Sequence, residues 1–411
     1  MLELSERIAS DEFAQIARHP DHPEAFTRSR KLPLSVLIGA LLSMRNQSQQ
    51  ATLDNFFASL RDTVCPKREV SDRAFAKARE RLHMPALVWL NDLVVERAEG
   101  AGLIERWCGL RVVAGDASLL MPAVRPCLLR RSAAAGDQRL FALFLPGAEL
   151  TLHARVHSAL VAERNMLVEA LEVLGPDDVL VLDRGYPAAW LVALLNARGI
   201  RFVMRCDNDS GWNAAKTFLR SGAVDAHVTL NAPSVADVCD WACPSGSPTI
   251  RLVRQIAPNG QVRLLATNLD VERFPATLLG DLYHQRWRIE EAFKRLKHRL
   301  HLEAVSGLSQ QALIIDVAAK ILIDNITSLM CAAAAEDADL RTRSRKCNRS
   351  FAANLMQRLL PRLVLFIGDV CATIADAIAM LGATSQRFIP TRSRPRPPRH
   401  AKPHPSCVYK G

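Results

Sequence analysis

Tyrosine is scarce in this chain, and aromatic side chains as a group are few. The sequence has three tyrosines and six tryptophans, and aromatic residues make up 6% of its 411 positions. A glycosidase would place two carboxyl groups beside a sugar ring and would be expected to line that site with aromatic platforms. The composition therefore argues against an enzyme that acts on carbohydrate, although it does not exclude one.

Long uninterrupted apolar runs and paired cysteine motifs are also missing. The longest apolar stretch, residues 313 to 335, contains Asp316, Lys320 and Asp324, which would be costly in lipid and instead predict a buried helix. The ten cysteines include no repeated CxxC motif, which argues against a zinc site or a disulfide framework and favours a reducing cytoplasm. The first ten residues hold acids and no apolar run, so neither a signal peptide nor a transit peptide is predicted.

The remaining composition is that of a folded, basic protein. Hydrophobic residues make up 49% and charged residues 23% of the chain, as in ordinary globular proteins. The length predicts two or three structural units. The net charge of +11 favours a polyanionic partner, either nucleic acid or an anionic membrane surface. A basic protein without such a partner stays open at this point.

The pattern of apolar residues changes along the chain. Residues 1–105 are predicted to be helical, with Ser71 and Asp72 capping a helix over 73–82 that is followed closely by another over 85–99. This pair of helices is interpreted first as simple packing, and a helix-turn-helix reader of DNA is the alternative. Residues 106–303 then show short strand-like runs: LRVVAGDAS, RLFALFLPG, ELTLHARVHS, DDVLVLDRGY and RFVMRCD.

The order of these elements predicts an α/β sheet. Two helical stretches, 165–174 and 187–197, separate the last strands, so that three strands, a helix, a strand, a helix and a strand follow one another. This order matches a ribonuclease H-like core. Residues 208–268 should form a β-rich insertion, and one helix is predicted from 274 to 302. Residues 304–385 read as further helices, and the proline-rich tail 386–411 carries seven basic residues and no acid.

The strongest local signal is LYHQRWRIEEAFKRLKHRL, residues 282 to 300. On a continuous helix of roughly 100° per residue, Glu290 would share one face with Tyr283, Arg286, Lys294 and Lys297, next to an apolar stripe. An amphipathic helix with ion pairs between residues four apart would also explain this pattern.

Two aspartates change the balance between these interpretations. Asp116 follows the apolar run VVAG and Asp183 follows VLVL, and an acid at the end of a buried strand is costly unless it is paired or bound to a metal. Asp116, Asp183 and Glu290 at one sheet edge would attract Mg²⁺ or Mn²⁺. Two such ions can promote displacement at phosphorus, so the predicted substrate is a phosphodiester. Arg286 and Lys297 could then hold phosphates, and Tyr283 could donate a hydrogen bond to one.

The spacing of the four residues resembles a known family signature. Tyr283, Arg286, Glu290 and Lys297 match the Y-(2)-R-(3)-E-(6)-K pattern of DDE transposases of the insertion-sequence "IS-four" family. The segments GDAS at 115–118 and LDRGY at 182–186 resemble the two aspartate segments of that family. The likeness extends to SDRAFAKARERL at 71–82, to the β-rich insertion and to the basic tail, and so spans nearly the whole chain.

The resemblance implies a DNA transposase that works by cut-and-paste transposition. Asp116, Asp183 and Glu290 would be catalytic and hold two Mg²⁺ or Mn²⁺ ions in each site. The enzyme would nick the end of the element, form and open a hairpin, and join the end to target DNA. Its partners would be double-stranded DNA, namely the terminal inverted repeats and the target, with a homodimer holding two ends and no membrane involved. It would be a cytoplasmic, nucleoid-associated protein.

Further assignments follow from the same resemblance. Residues 1–105 would bind the DNA ends, 304–385 could dimerise, and Lys294 and Lys297 would contact DNA. Relatives stack a tryptophan of the insertion on a flipped base. Here Arg263 stands at that place and could stack instead, while Trp212 and Trp241 are alternatives. The competing hypotheses are a glycosidase and a DNA-binding protein that has lost catalysis, but the latter predicts the loss of an acid or of the motif, and neither is lost.

Overall fold

The computed structural model describes residues 1–27, 31–43, 48–63, 66, 68–120, 138–206, 212–256, 260, 262–305, 307 and 309–389. The chain divides into two compact units. One unit combines residues 1–101, 120–137 and 294–411, and the other combines residues 102–119 and 138–293. The first unit is helical and the second contains the central sheet.

The elements of the described residues follow the chain in this order. The strands are β1 (Arg106–Trp107), β2 (Leu110–Leu120), β3 (Gln138–Leu145), β4 (Leu150–Ser158), β5 (Asp178–Leu182), β6 (Arg201–Cys206), β7 (Asp225–Thr229), β8 (Thr249–Ile256), β9 (Val262–Thr267), β10 (Arg345–Lys346) and β11 (Gln386–Arg387). The helices are α1 (Leu2–Ile8), α2 (Asp11–Ala17), α3 (Leu34–Leu42), α4 (Gln49–Leu60), α5 (Asp72–Glu80), α6 (Pro85–Gly100), α7 (Glu163–Ala170), α8 (Ala189–Ala197), α9 (Asn213–Arg220), α10 (Val235–Trp241), α11 (Ala276–His284), α12 (Trp287–His298), α13 (Gln310–Asp337), α14 (Arg349–Val364) and α15 (Val370–Ala383).

A mixed sheet forms the centre of the second unit. Among the described residues it has nine strands in the order β4-β3-β2-β5-β6-β9-β8-β7, with β1 paired to β2. Strands β2, β5 and β6 are parallel to one another, whereas β3 and β4 form an antiparallel hairpin. All five residues of β5 are buried, as expected for a central parallel strand covered on both faces. The prediction of an α/β fold with a large sheet is confirmed.

The predicted β-rich insertion extends this sheet. Its strands β7, β8 and β9 pair in antiparallel fashion, and β9 joins them to β6. Helices α9 and α10 lie in the same stretch of chain, so the insertion is not purely β. Arg251 of β8 is fully buried. It is held by Asp225 and donates to the carbonyl oxygens of Leu269, Asp270 and Phe274, just before α11.

The long apolar stretch forms a helix in the first unit. Helix α13 contains the buried acids Asp316 and Asp324 and the buried Lys320, which confirms the predicted buried helix. A charge buried in protein is tolerated when it is paired and hydrogen-bonded, and all three side chains are. The contacts are Asp316 with Arg79 at 3.2 Å, Asp324 with Arg295 at 3.0 Å, and Lys320 with the carbonyl oxygens of His301 and Ala304, both at 2.8 Å.

Three local predictions, for the cap of α5, the basic tail and membrane-spanning segments, can be compared with the structure. Ser71 caps α5 through a hydrogen bond from the amide of Ala74, as predicted. The first residues of the basic tail form the short strand β11, which pairs with β10. The rest of the tail, 390–411, lies outside the described residues. No helix in the described part of the chain is long and apolar enough to cross a membrane.

Candidate active site

Two aspartates lie side by side on adjacent parallel strands. Asp183 directly follows β5, as predicted, whereas Asp116 lies inside β2, which continues to Leu120 and does not end at the aspartate as predicted. Strand β2 pairs with β5 in a register that sets Ala114 beside Val181, so two residues further along Asp116 lies beside Asp183. Neighbouring strands are about 4.8 Å apart. The register of β5 with β6 sets Leu182 beside Met204, and its continuation places Arg205 next to Asp183. Three consecutive strands therefore carry charged residues at the same edge.

These residues face the side of the sheet that α11 covers. Side chains alternate along a strand, so Asp116 and Asp183 point to the same face as Val112 and Val181. That face packs against Leu282 of α11 in one buried cluster. Because α11 runs directly into the segment that carries Arg286 and Glu290, its packing delivers these side chains to the acids.

The prediction of one continuous helix over 274–302 is wrong, because the structure has two helices there. Helix α11 ends at His284 and α12 begins at Trp287. Across the junction the amide of Arg286 donates to the carbonyl of Tyr283 and that of Ile289 to the carbonyl of Arg286, so these bonds span three residues instead of four. This tighter turn places Arg286 between the two helices, and the five predicted residues do not share one uninterrupted helical face.

The guanidinium of Arg286 bridges two of the predicted acids. Its Nη1 lies 3.5 Å from Oδ2 of Asp116, and its Nη2 donates to Oε1 of Glu290 at 2.8 Å. The Arg286 side chain is 6% exposed and its guanidinium lies near the rings of Tyr283 and Trp287. Arg286 thus joins residues 116 and 290, which are far apart in sequence, into one cluster.

Burial and repulsion from a neighbouring carboxylate raise the pKa of Asp116. Burial, with a further contribution from the charge of Asp183, raises the pKa of Asp116 to about 7, although a hydrogen bond from the Ala117 amide and the charge of Arg286 act against the shift. Such a carboxyl group is not fully compensated by its protein neighbours. It is therefore a place where added positive charge would be favourable.

A further acid, Glu163, belongs to the same neighbourhood. It is the first residue of α7 and forms an ion pair with Arg139 at 3.5 Å. Burial and the charge of Asp183 raise the pKa of Glu163. Sequence reasoning did not single out this residue, because an acid in the first turn of a helix is common and is explained by the helix dipole.

The loop after β5 holds Asp183 through its own backbone. Oδ1 of Asp183 accepts a hydrogen bond from the amide of Gly185 at 2.7 Å, a local turn that aspartate favours. A Cβ atom at Gly185 would lie only 3.1 Å from that oxygen, which explains why glycine suits the position. Arg164 of α7 donates to the carbonyl oxygens of Gly185 and Pro187 at 3.0 Å and 3.1 Å and so connects the loop to the helix.

Tyr186, at the end of this loop, is completely buried. Within the described residues its hydroxyl has no hydrogen-bond partner. Burial, followed by the charges of Asp116, Glu163 and Asp183, raises the pKa of Tyr186. A buried hydroxyl without a partner costs free energy, which marks this spot as one where a polar ligand would be stabilising.

The donor set suits a hard divalent cation, but Arg286 takes part of the space. Carboxylate oxygens are the ligands that Mg²⁺ and Mn²⁺ prefer. In the part of the chain described by the structure, no group of three or more His, Cys, Asp or Glu side chains is spaced to hold a metal ion. The reason is visible in the geometry, since the Arg286 guanidinium lies between Asp116 and Glu290.

Comparison with known proteins finds similar transposases. A family described as "Transposase DDE domain" matches residues 132–326. Over 310 residues the chain is 24% identical to the transposase InsG for insertion sequence element IS4 of Escherichia coli (strain K12), a match that covers 70% of this chain and 67% of that protein. The chain is similar to DDE transposases of the IS-four (IS4) family. It is a DNA-cleaving transposase enzyme.

Two other proteins resemble this chain over a shorter segment or at lower sequence identity. The transposase for insertion sequence element IS421 of Escherichia coli is 40% identical over 67 residues, which are 15% of this chain and 18% of that protein. A cryo-EM structure of the piggyBac transposase synaptic complex with hairpin DNA aligns with 95% of this chain and 86% of its own, at 11% identity and a TM-score of 0.45.

The residues predicted to contact DNA differ in their position and exposure. Tyr283 is 3% exposed, and Cζ of Arg286 lies 5.9 Å from the centroid of its ring. Arg263 lies on β9 opposite Gln255; because β6 separates β9 from β5, it is about 10 Å from the strand that leads to Asp183. Lys294 and Lys297 lie on the second half of α12, where Lys294 is exposed and Lys297 pairs with Glu303 at 3.4 Å.

The tryptophans considered as base-stacking residues differ in their surroundings. Trp241 stacks on Trp190 with ring centroids 4.6 Å apart, so one face of its ring is already covered by the protein. Trp212 precedes α9 and is partly exposed. The contact of Trp241 favours its interpretation as a packing residue.

Proposed function

We propose that this transposase moves an insertion sequence by cut-and-paste transposition, with Asp116, Asp183 and Glu290 as its catalytic carboxylates. The observation that carries the proposal is that Asp116 of β2 lies beside Asp183, which follows β5, together with the link from Asp116 through Arg286 to Glu290. The three acids are distant in sequence, and the chain that carries them has a net charge of +11, which suits a metal-assisted reaction on a polyanion.

The topology supports a ribonuclease H-like core. The first three strands of the core, β2, β3 and β4, are followed by α7, β5, α8 and β6, and their order in the sheet is β4-β3-β2-β5-β6. The two aspartates lie on the parallel side of this core, Asp116 within β2 and Asp183 directly after β5. The insertion β7 to β9 follows this core before the helix that carries Glu290.

Asp116, Asp183 and Glu290 would hold two Mg²⁺ or Mn²⁺ ions. When bound, such ions activate the attacking oxygen and stabilise the leaving oxygen in a displacement at phosphorus. The carboxyl of Asp116 is suited to bind a cation, because it is buried and incompletely compensated. The hydroxyl of Tyr186, which has no partner among the described residues, would be stabilised by a polar ligand. Arg286 orients Asp116 and Glu290 from between them.

Several basic residues would position the DNA. Lys294 and Lys297 on α12 are suited to flanking phosphates, because lysine contacts the DNA backbone as a point charge. Arg263 would stack on an extruded base if the reaction includes a hairpin. Residues 1–105 would bind the element's ends, and the segment 304–385 would support a homodimer that holds two ends.

The reaction proposed for these groups is a series of phosphoryl transfers on double-stranded DNA. Water cuts one strand at the terminal inverted repeat, and the freed 3′ hydroxyl attacks the opposite strand to form a hairpin. The hairpin is opened by water, and the 3′ hydroxyl then joins to target DNA. All of these steps would take place on the bacterial chromosome, in the cytoplasm.

The test is Asp183→Asn, with Asp177→Asn at an exposed position as the matched control. Asp183→Asn should lower Mg²⁺-dependent cleavage of the element's own end DNA by at least about 1000-fold, a loss of about 4 kcal/mol in transition-state stabilisation, while gel-shift affinity for that DNA changes little. The control should cleave normally. Full cleavage by Asp183→Asn would rule out the proposed role of this acid.

A further inference from the structure

We propose that the helical unit binds an adenine nucleotide in a cavity between α4 and α14. These two helices pack against each other, and the cavity beside them has a volume of about 430 Å³. Sites for small ligands usually have roughly 300 to 1,000 Å³. None of Asp116, Asp183 and Glu290 lines this cavity, so the site goes beyond the proposed function and does not depend on it.

Gln357 is the buried polar residue that points to a ligand. It is 9% exposed and lines the cavity, and within the described ranges of the chain its side-chain amide forms no hydrogen bond. Pro361, four residues later in α14, has no amide hydrogen, so the usual helical bond to the Gln357 carbonyl cannot form. A buried amide without a partner costs free energy. A ligand that offers both a donor and an acceptor would therefore be stabilised here.

Two buried hydroxyl groups add acceptors to the same cavity. Ser43 and Thr52 are 6% and 4% exposed, and both line it. The Oγ of Ser43 donates to the carbonyl of Ala40 at 2.8 Å, and Oγ1 of Thr52 donates to the carbonyl of Ser48 at 3.0 Å. Because each hydroxyl hydrogen is already used, the two oxygens can only accept from a ligand. The buried part of the cavity thus favours a ligand that carries an amino group.

These groups match the edge of adenine. A glutamine amide can bond to N6 and N7 of adenine together, and a hydroxyl oxygen can accept the second hydrogen of the amino group. Phe56, Leu359 and Pro361 add apolar walls to the cavity, which suit the faces of a flat aromatic ring. An aliphatic ligand would leave the Gln357 amide unpaired. Cytosine has a similar donor and acceptor on a smaller ring, which makes it the stringent comparison.

Arg358 is suited to hold the phosphate of the nucleotide. It lines the cavity, is exposed, and its guanidinium has no ion pair or hydrogen bond within the part of the chain that the structure describes. Arg362, one turn later, is instead held by Asp62 and donates to the carbonyl of Ser59 at 2.8 Å. Arg358 therefore keeps its donors for a ligand, and a guanidinium binds phosphate strongly.

A cavity that held only water would behave differently. Solvent would then satisfy the Gln357 amide, and the protein would show no preference among nucleotides. A change at Gln357 would alter the stability of α14 without altering the affinity for any nucleotide.

The test is isothermal titration calorimetry of the full-length protein with AMP and, separately, with adenosine. AMP should bind, and adenosine should bind at least about tenfold more weakly, because it lacks the phosphate that Arg358 contacts. CMP should bind more weakly than AMP, because its smaller ring contacts less of the apolar walls. Gln357→Leu should raise the Kd for both AMP and adenosine by at least about tenfold, whereas Arg358→Ala should raise it for AMP alone.

Two exposed residues outside the cavity provide matched controls. Asn354→Leu removes an amide from the same helix, and Arg343→Ala removes a guanidinium from the same unit. Both variants should bind AMP as wild type does. Should Gln357→Leu not fold, as judged by circular dichroism, Arg358→Ala decides: a loss of affinity confined to AMP supports the site, and no loss, or an equal loss for adenosine, contradicts it.

No binding of AMP to the wild type at millimolar concentration would overturn the proposal, and so would inorganic phosphate or CMP that binds as tightly as AMP. The source of the nucleotide is tested by displacing AMP with single-stranded thymine oligonucleotides. Displacement that requires one adenine in the strand identifies a base of DNA. No displacement by either strand identifies a free nucleotide, and equal displacement by both strands contradicts recognition of the base.

Discussion

Replacing Asp116 by asparagine should stabilise the metal-free transposase even as it removes activity. Burial and Asp183 raise the pKa of Asp116 from 3.8 to about 7, and the side chain is only 16% exposed. This rise in pKa means that the charged carboxylate destabilises the folded protein by roughly 4 kcal/mol above pH 7. Losing the contact with Arg286 offsets up to about 2 kcal/mol of this gain. We therefore expect a net stabilisation of about 2 kcal/mol at pH 8.

The effect should depend on pH in a defined direction. The carboxyl of Asp116 releases its proton near pH 3.8 in the unfolded chain and near pH 7 in the folded protein. Between these values the folded wild type binds more protons than the unfolded chain, so its stability falls as the pH rises. The advantage of Asp116→Asn should consequently be largest above pH 7 and shrink as the pH is lowered toward 4.

Hydrogen exchange of the β2 and β5 amides in EDTA is the suitable assay, because it reports on the sheet unit separately from the helical unit. Slower exchange is expected in Asp116→Asn than in wild type at pH 8, after correction for intrinsic rates, and a smaller difference at pH 5. The exposed variant Asp177→Asn should show no change. If Asp116→Asn exchanges as fast as wild type or faster at pH 8, then Asp116 is fully compensated without metal and the electrostatic argument is wrong.

Three further changes test other parts of the structure. Arg251→Met should destabilise the sheet unit by about 3 to 5 kcal/mol, because it leaves the Asp225 carboxylate without its buried partner; urea unfolding that matches wild type would show that this contact is dispensable. Tyr186→Phe should leave the metal-free stability unchanged or raise it by up to about 1 kcal/mol, and a loss measured in EDTA by thermal unfolding would reveal an existing partner for the hydroxyl. Lys297→Ala should weaken binding to end DNA and reduce the slope of log Kd against log salt by about one; an unaltered slope would argue against a phosphate contact.

Much of the fold could be predicted from local pattern. Short apolar runs located β2 to β6, the insertion strands and the buried helix α13, because burial on one or both faces of an element dictates its periodicity. Asp116, Asp183 and Glu290 stood out because acids at the ends of apolar strands, or within a basic helical motif, conflict with that burial. The family signature reinforced the same three positions.

The arrangement of the site depended on contacts that local sequence cannot specify. Asp116 meets Asp183 only because β2 and β5 pair in one register across 67 residues, and a shift of one residue would turn one acid to the other face. The break between α11 and α12, where Arg286 lies between two acids, has no helix-breaking proline or glycine in the sequence to mark it. Glu163 carried no sequence signal, since an acid at a helix start is ordinary until the neighbouring strands bring other charges beside it. Tyr186 belonged to the LDRGY segment, but its burial without a hydrogen-bond partner could be seen only in the tertiary structure.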